Sequence, residues 1–270
     1  MIELSDVSVR YGDGPPALQP TSLRFQRGEI NVLLGASGAG KSTLLRCLNL
    51  LNRPSTGHVC ATDIGVIEGA RALRLHRRGT GIIFQQHQLI GRRTALDNVL
   101  LGRIGYHPAW RTLFPLPRAE RRLALDCLER VGLLDRALDR VDRLSGGQQQ
   151  RVGIARALAQ QPRLLLADEP VASLDPASAR RVLTVIRDIC REDGITVVVS
   201  LHQVELAREF ADHVIGLARG RIVFKGRPGN LDNGVLAAIY DQGRILPESV
   251  AAVADASPFN PGLDLAIIED

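Results

Sequence analysis

Residues 35–43 read Gly-Ala-Ser-Gly-Ala-Gly-Lys-Ser-Thr. The stretch fits Gly-x-x-x-x-Gly-Lys-[Ser/Thr], and its flanks are those the pattern needs. Ile30–Leu34, just before it, is an unbroken apolar run, as in a strand buried on both faces of a parallel sheet. Residues 41–51, just after it, have helical spacing. Glycines let such a loop turn its N–H groups toward a phosphate without Cβ clashes. The helix N-terminus that follows adds partial positive charge. Lys41 then reaches the β- and γ-phosphates, and the Ser42 hydroxyl ligates Mg²⁺. The loop implies a nucleoside triphosphate and leaves the reaction open.

Further along, residues 163–170 read Arg-Leu-Leu-Leu-Ala-Asp-Glu-Pro. A buried strand here delivers two carboxylates at its C-terminal end, where open α/β sheets bind ligands. Asp168 is expected to hold Mg²⁺ through its coordinated water. Glu169, pointing the other way, is expected to polarise the attacking water as general base. A solvated strand end before a turn-forming proline has the same letters, and pairing with the loop at 35–43 favours the chemical reading. Residues 144–151 read Leu-Ser-Gly-Gly-Gln-Gln-Gln-Arg and open another helix. Ser145 and its glycines make a second anion-ready helix N-terminus.

On these three motifs the chain resembles the ATP-binding-cassette ATPases, whose signature is Leu-Ser-Gly-Gly-Gln. The resemblance implies an α/β fold: a P-loop NTPase with a RecA-like core, an N-terminal antiparallel β-subdomain and a helical signature subdomain. It implies a cassette over residues 1–245. The core and β-subdomain would occupy about 1–94 and 162–226, the helical subdomain about 95–161, and a C-terminal helix about 230–242. An acidic tail, 246–270, lies outside it. The implied ATP site is Tyr11, stacking on adenine, with Gly35, Ala36, Ser37, Gly38, Ala39, Gly40, Lys41, Ser42 and Thr43. Leu144, Ser145, Gly146, Gly147 and Gln148 would serve the ATP held by a second copy, in a head-to-tail homodimer. Ser173, Leu174 and Asp175 match the loop that communicates across that dimer. His202 matches the switch histidine at the γ-phosphate. Gln85, with Gln86 as the second candidate, matches the glutamine that senses Mg²⁺ and water and faces the permease.

Two positions depart from the commonest pattern. Ala172-Ser173-Leu174-Asp175 stands where Ser-Ala-Leu-Asp is usual, and Gln203 follows His202 where an acid is usual. Both variants look like the ATPase subunit of phosphonate and phosphite importers, as do Ala157–Pro162 and Leu101–Trp110. The partners so implied are integral membrane permease subunits and, through them, a solute-binding protein. The implied location is the cytoplasmic face of the inner membrane. Other readings are a non-transport accessory ATPase of a phosphonate-degrading complex and an importer ATPase for another small solute. DNA-repair relatives carry long coiled coils or zinc modules within the cassette; the segment between Lys41 and Ser145 has no heptads and no Cys pair.

Composition bounds these readings. The chain has 270 residues with 34 basic and 29 acidic side chains, and of the basic ones only Lys41 and Lys225 are lysines. No apolar run approaches the roughly 18 residues that span a bilayer, and no secretory signal opens the chain. The four cysteines are scattered, against a zinc site or a disulfide framework. The tail has Glu248, Asp255, Asp264, Glu269 and Asp270 and no Lys or Arg, so the cassette is more basic than the net charge of +5 suggests. Basic clusters at Arg71–Arg78 and Arg103–Arg122 lack interleaved aromatics, so they read as solvated helix faces and nucleic acid is not expected. The coarse pattern predicts strands at 2–11, 18–26, 30–34, 57–64, 81–84, 163–167, 195–200, 213–218 and 221–225. It predicts helices at 41–51, 68–78, 118–131, 177–191 and 203–210.

Overall fold

The computed structural model describes residues 1–84, 88–108, 110 and 114–240. The larger sheet has the order β10 (Arg221–Gly226), β9 (His213–Ala218), β3 (Ile30–Leu34), β8 (Thr196–Ser200), β7 (Leu164–Ala167), β6 (Thr80–Ile83). β9, β3, β8, β7 and β6 run parallel, and β10 is antiparallel to β9. The apolar runs are continuous because both faces are covered. Val32, Leu165, Val197 and Val199 enter one core cluster, while Leu33, Leu164, Leu166 and Val198 enter the other. That is the period-two alternation of a strand applied to two buried sides.

The second core is closed by an antiparallel sheet, β2 (Leu18–Phe25), β1 (Ile2–Val9), β4 (Thr56–Ala61) and β5 (Gly65–Val66) in that order, and by α1 (Lys41–Leu48). The strand expected over 57–64 is a hairpin: Cys60 pairs with Val66 and Ala61 with Gly65, across a turn at 62–64. Gly65, at φ 79°, closes it. Gly57 is needed for a different reason. At φ 72°, with an added Cβ 2.2 Å from the Asp6 carbonyl oxygen, it lets β4 approach the irregular stretch of β1.

The helix expected at 41–51 ends at Leu48. Leu50 turns to φ 51°, and its amide closes onto the Cys47 carbonyl. α2 is Gly69–Arg78. A helical layer follows: α3 (Ala95–Leu100), a 3-10 turn at Leu101–Tyr106, α4 (Arg118–Arg130) and α5 (Gly146–Ala159). It packs on the first core cluster with α6 (Pro176–Asp193) and α7 (Val204–Phe210). The helix expected at about 230–242 differs at its start: 228–230 form a 3-10 turn, and α8 is Asn233–Tyr240. Asp232 sets this boundary, its Oδ1 accepting the Val235 amide at 2.8 Å in the N-cap manner.

No helix among the described residues is long and apolar enough to cross a membrane. Three of the four cysteines behave as small core residues, burial pushing the Cys47, Cys127 and Cys190 thiols up to about 11, while Cys60 is half-buried.

Candidate functional site

The C-terminal ends of β3, β8 and β7 lie side by side, and the predicted chemistry falls on them. β3 runs into the glycine loop and then α1. Gly40, at φ 105°, holds that loop where an added Cβ would lie 2.9 Å from the Ala17 carbonyl oxygen. Ser37 and Gly38 are exposed at the loop's crest, while Gly35 and Ala39 are buried beneath it; Ala36, Gly40 and Thr43 are half-buried. Lys41 is buried, and its Nζ donates to the carbonyls of Gly35 at 2.8 Å and Ala36 at 3.1 Å. Burial holds this ammonium below its usual pKa, against the opposing pull of Glu169 and Asp168.

Ser42, on the first turn of α1, donates its hydroxyl to Asp168 Oδ1 at 3.0 Å. A hydroxyl and a carboxylate brought together at a phosphate loop are hard oxygen donors, the set that suits Mg²⁺ completed by phosphate oxygens and water. Among the described residues no cluster of three or more His, Cys, Asp or Glu could hold a metal by itself.

Glu169 does not follow Asp168 along the strand. Its φ of 48° turns the chain, and its Oε1 meets His202 Nε2 at 2.6 Å. A cavity of about 30 Å³ adjoins this pair, lined by Glu169, Ala172, Ser200, His202 and Gln203 among others. It is the size of one water. Two side chains not singled out in the sequence complete the cluster. Ser200 bonds both acidic residues. Tyr240, at the end of α8, donates its phenol to the His202 carbonyl at 3.2 Å. Neither belongs to a motif, so only the fold could bring them in.

The signature residues sit apart, at the start of α5. Ser145 caps this helix in a capping box: its Oγ accepts the Gln148 amide at 3.4 Å, and Gln148 Oε1 accepts the Ser145 amide at 2.9 Å. Leu144 is buried under the cap, while Ser145 and Gly146 are exposed. α6 begins alongside, Ser178 lying 3.5 Å from where a Gly147 Cβ would stand and Leu174 3.9 Å from that of Gly146. Ser173 and Asp175 are exposed there. Asp175 caps α6, its Oδ1 accepting the Ser178 amide at 2.9 Å; bonds from Ser178 hold its carboxyl below the usual range.

Tyr11 is exposed, and its phenol oxygen accepts from Asn52 Nδ2. Gln85 and Gln86 lie outside the described residues, as does the tail from 246.

Most described arginines of the two basic clusters are exposed, as expected of solvated helix faces, and some also make contacts within the fold. Arg103 is buried, pairs with Glu120 at 2.5 Å and donates to the Ala159 carbonyl at 2.8 Å. Arg77 donates to the carbonyls of Asn49 and Leu50. Arg78 and Arg103 both stack on the Tyr106 ring, 3.9 and 3.8 Å from its centroid. The Arg78 stack joins α2 to the helical layer, while Arg77 ties α2 to the turn after α1. Between the two runs a groove of about 450 Å³, lined by Leu73, Arg74, Arg77, Arg78, Tyr106 and His107 among others.

The sequence model of the ABC transporter family matches residues 18–172. Over 240 residues the chain is 58% identical to the phosphonates import ATP-binding protein PhnC 3 of Nostoc sp., covering 89% of this chain and 92% of that one. It is 58% identical over 255 residues to the phosphite import ATP-binding protein PxtA of Stutzerimonas stutzeri, covering 94% and 92%. Among solved structures it is similar to the dimeric post-hydrolysis state of the ATP-binding cassette MJ0796 bound to ADP and Pi. That match has a TM-score of 0.73 and 35% identity, over 84% of this chain and 99% of the other.

Proposed function

Because the chain belongs to the ABC transporter family, we propose that it is the ATP-hydrolysing subunit of an importer for phosphonate or a related phosphorus oxyanion. The observation that carries this reading is the similarity, over nearly their whole length, to two import ATP-binding proteins named for such solutes.

ATP is the substrate. Lys41 and the amides of the 35–43 loop bind its phosphates, and Tyr11 offers an aromatic face to the adenine. Ser42 and Asp168, with Gln85, would hold Mg²⁺, which when bound neutralises charge on the phosphates. Glu169 accepts the proton of the attacking water as general base. His202, hydrogen-bonded to Glu169, orients that carboxylate and faces the γ-phosphate. Ser145 and its glycines cap the ATP of a second copy, and the Ser173–Asp175 loop lies beside them at that seam. Closure of the dimer on ATP and reopening after hydrolysis drive the permease.

We assign the permease contact to the helical layer and its basic groove, which makes the subunit peripheral at the cytoplasmic face of the membrane. The experiment is transport by the chain reconstituted with its permease and solute-binding protein. Uptake and ATP hydrolysis should rise together with phosphonate or phosphite. Coupled uptake of an unrelated solute alone overturns the assignment.

A further inference from the structure

Ser200 is the last residue of β8 and is fully buried. β8 lies between β3 and β7, and its register sets Val199 opposite Ala167. One step on, Ser200 therefore stands beside Asp168. Strand alternation puts it on the side of Val198, which belongs to the cluster that α1 covers. Two hydroxyls consequently approach one carboxylate oxygen: Ser42 Oγ at 3.0 Å and Ser200 Oγ at 2.9 Å both donate to Asp168 Oδ1. The Ser200 oxygen also accepts the Glu169 amide at 2.8 Å.

A hydroxyl has one proton and two lone pairs. Here the proton goes to Asp168 and a lone pair takes the Glu169 amide, so a single buried atom holds both acidic residues. Its effect on each differs. At Asp168 it fixes which oxygen is turned inward and leaves Oδ2 outside both bonds. At Glu169 it ties down the peptide of a residue at φ 48°, a conformation that L side chains adopt at a cost. That turn sends the Glu169 carboxylate to His202 rather than alongside Asp168.

We propose that Ser200 is a positioning residue for ATP hydrolysis, clamping Asp168 and Glu169 apart so that one serves the metal side and the other the attacking water. The inference rests on the roles given to those two acids under the proposed function.

Ser200→Ala removes both bonds and leaves the half-buried Glu169 amide and Asp168 carboxylate without them. Its kcat for ATP hydrolysis should fall about ten- to a hundredfold. The KM for ATP should stay within about twofold, because the loop at 35–43 is untouched. Ser200→Thr keeps the hydroxyl and should recover most of the rate. Ser200→Cys, a weaker donor, should fall between them. Rates are normalised to the fraction of protein that binds a fluorescent ATP analogue, so that misfolded protein does not count as slow enzyme. Should the Ala variant not fold, the order Ser, Thr, Cys is the readout. A wild-type kcat in both Ala and Cys variants, or a loss in Ala that appears in KM alone, overturns the proposal. The same substitution in a Glu169→Gln background separates this from the reading it rests on. If Glu169→Gln keeps full turnover, the assignment of the base is wrong whatever Ser200 does. If Glu169→Gln is inactive and Ser200→Ala alone is normal, only the clamp is wrong. If both hold, Ser200→Ala adds little to the Glu169→Gln loss.

Discussion

Glu169 bears a side chain at φ 48°, which costs on the order of 1 kcal/mol. The surrounding bonds to Ser200 and His202 hold it there. Replacing Glu169 by Gln keeps the shape and removes the base. We expect ATP binding to persist and steady-state hydrolysis to fall by about 100- to 10,000-fold. A stable ATP-loaded dimer should then appear on size exclusion; rapid hydrolysis by this variant would place the base elsewhere. Lys41 makes a second case. A chain that uses Arg for nearly all of its 34 basic residues keeps a lysine here. Its buried Nζ sits between two loop carbonyls, a space for a compact ammonium rather than a planar fork. Lys41→Ala should weaken nucleotide affinity by about ten- to a hundredfold in a direct binding titration. Both residues were legible in the sequence because each lies in a short motif at the end of a buried strand, followed by a helix at Lys41 and by a turn at Glu169. Ser200, Tyr240 and the buried Arg103 were not. Each acts through a partner 32 to 56 positions away, and such pairings exist only once β8, α8 and the helical layer are in place.

Element starts were easier to read than element ends. Ser145 and Asp175 each cap a helix, and α6 begins at Pro176, one residue before the start expected. α1 ends early because Leu50 turns left-handed, and the hairpin at 56–66 was read as one strand. Both outcomes depend on backbone conformations that Leu and a lone Gly announce poorly. The cap of α5 also separates two roles for one residue. Ser145→Ala removes the cap and should cost about 1 kcal/mol. In a cassette of this size that lowers the thermal midpoint by roughly 2–4 °C. Ser145→Asp restores an N-cap acceptor and should restore the midpoint. It also places a negative charge where the phosphates of a second copy's ATP would approach, so hydrolysis should fall although the midpoint is restored. If Asp restores stability and activity together, Ser145 is a cap and nothing more.

The two features to which the proposed function assigns phosphate binding stand in two unlike places on the molecule. One is the glycine loop at the strand ends, exposed at its crest, where Lys41, Ser42 and Asp168 meet beneath. The other is the exposed start of α5, whose Ser145 and Gly146 face outward. A feature that binds phosphate from an exposed edge is completed by another molecule, and a two-fold arrangement completes both copies at once. The head-to-tail reading therefore makes a prediction about mixtures. Lys41→Ala spoils the loop and Ser145→Asp spoils the signature, so each homodimer carries two defective sites and should be nearly inactive at an ATP concentration well below the weakened Kd of the Lys41→Ala loop. In a mixed dimer, one composite site combines both lesions. The other pairs the intact loop of the Ser145→Asp chain with the intact signature of the Lys41→Ala chain. Mixing the two purified variants should then raise ATP hydrolysis to at most about a quarter of wild type, since about half the dimers are mixed and each has one good site. The gain should depend on protein concentration, as association does. If each site were built within one chain, mixing two inactive variants would restore nothing at any ratio, and the outward-facing signature would need another explanation.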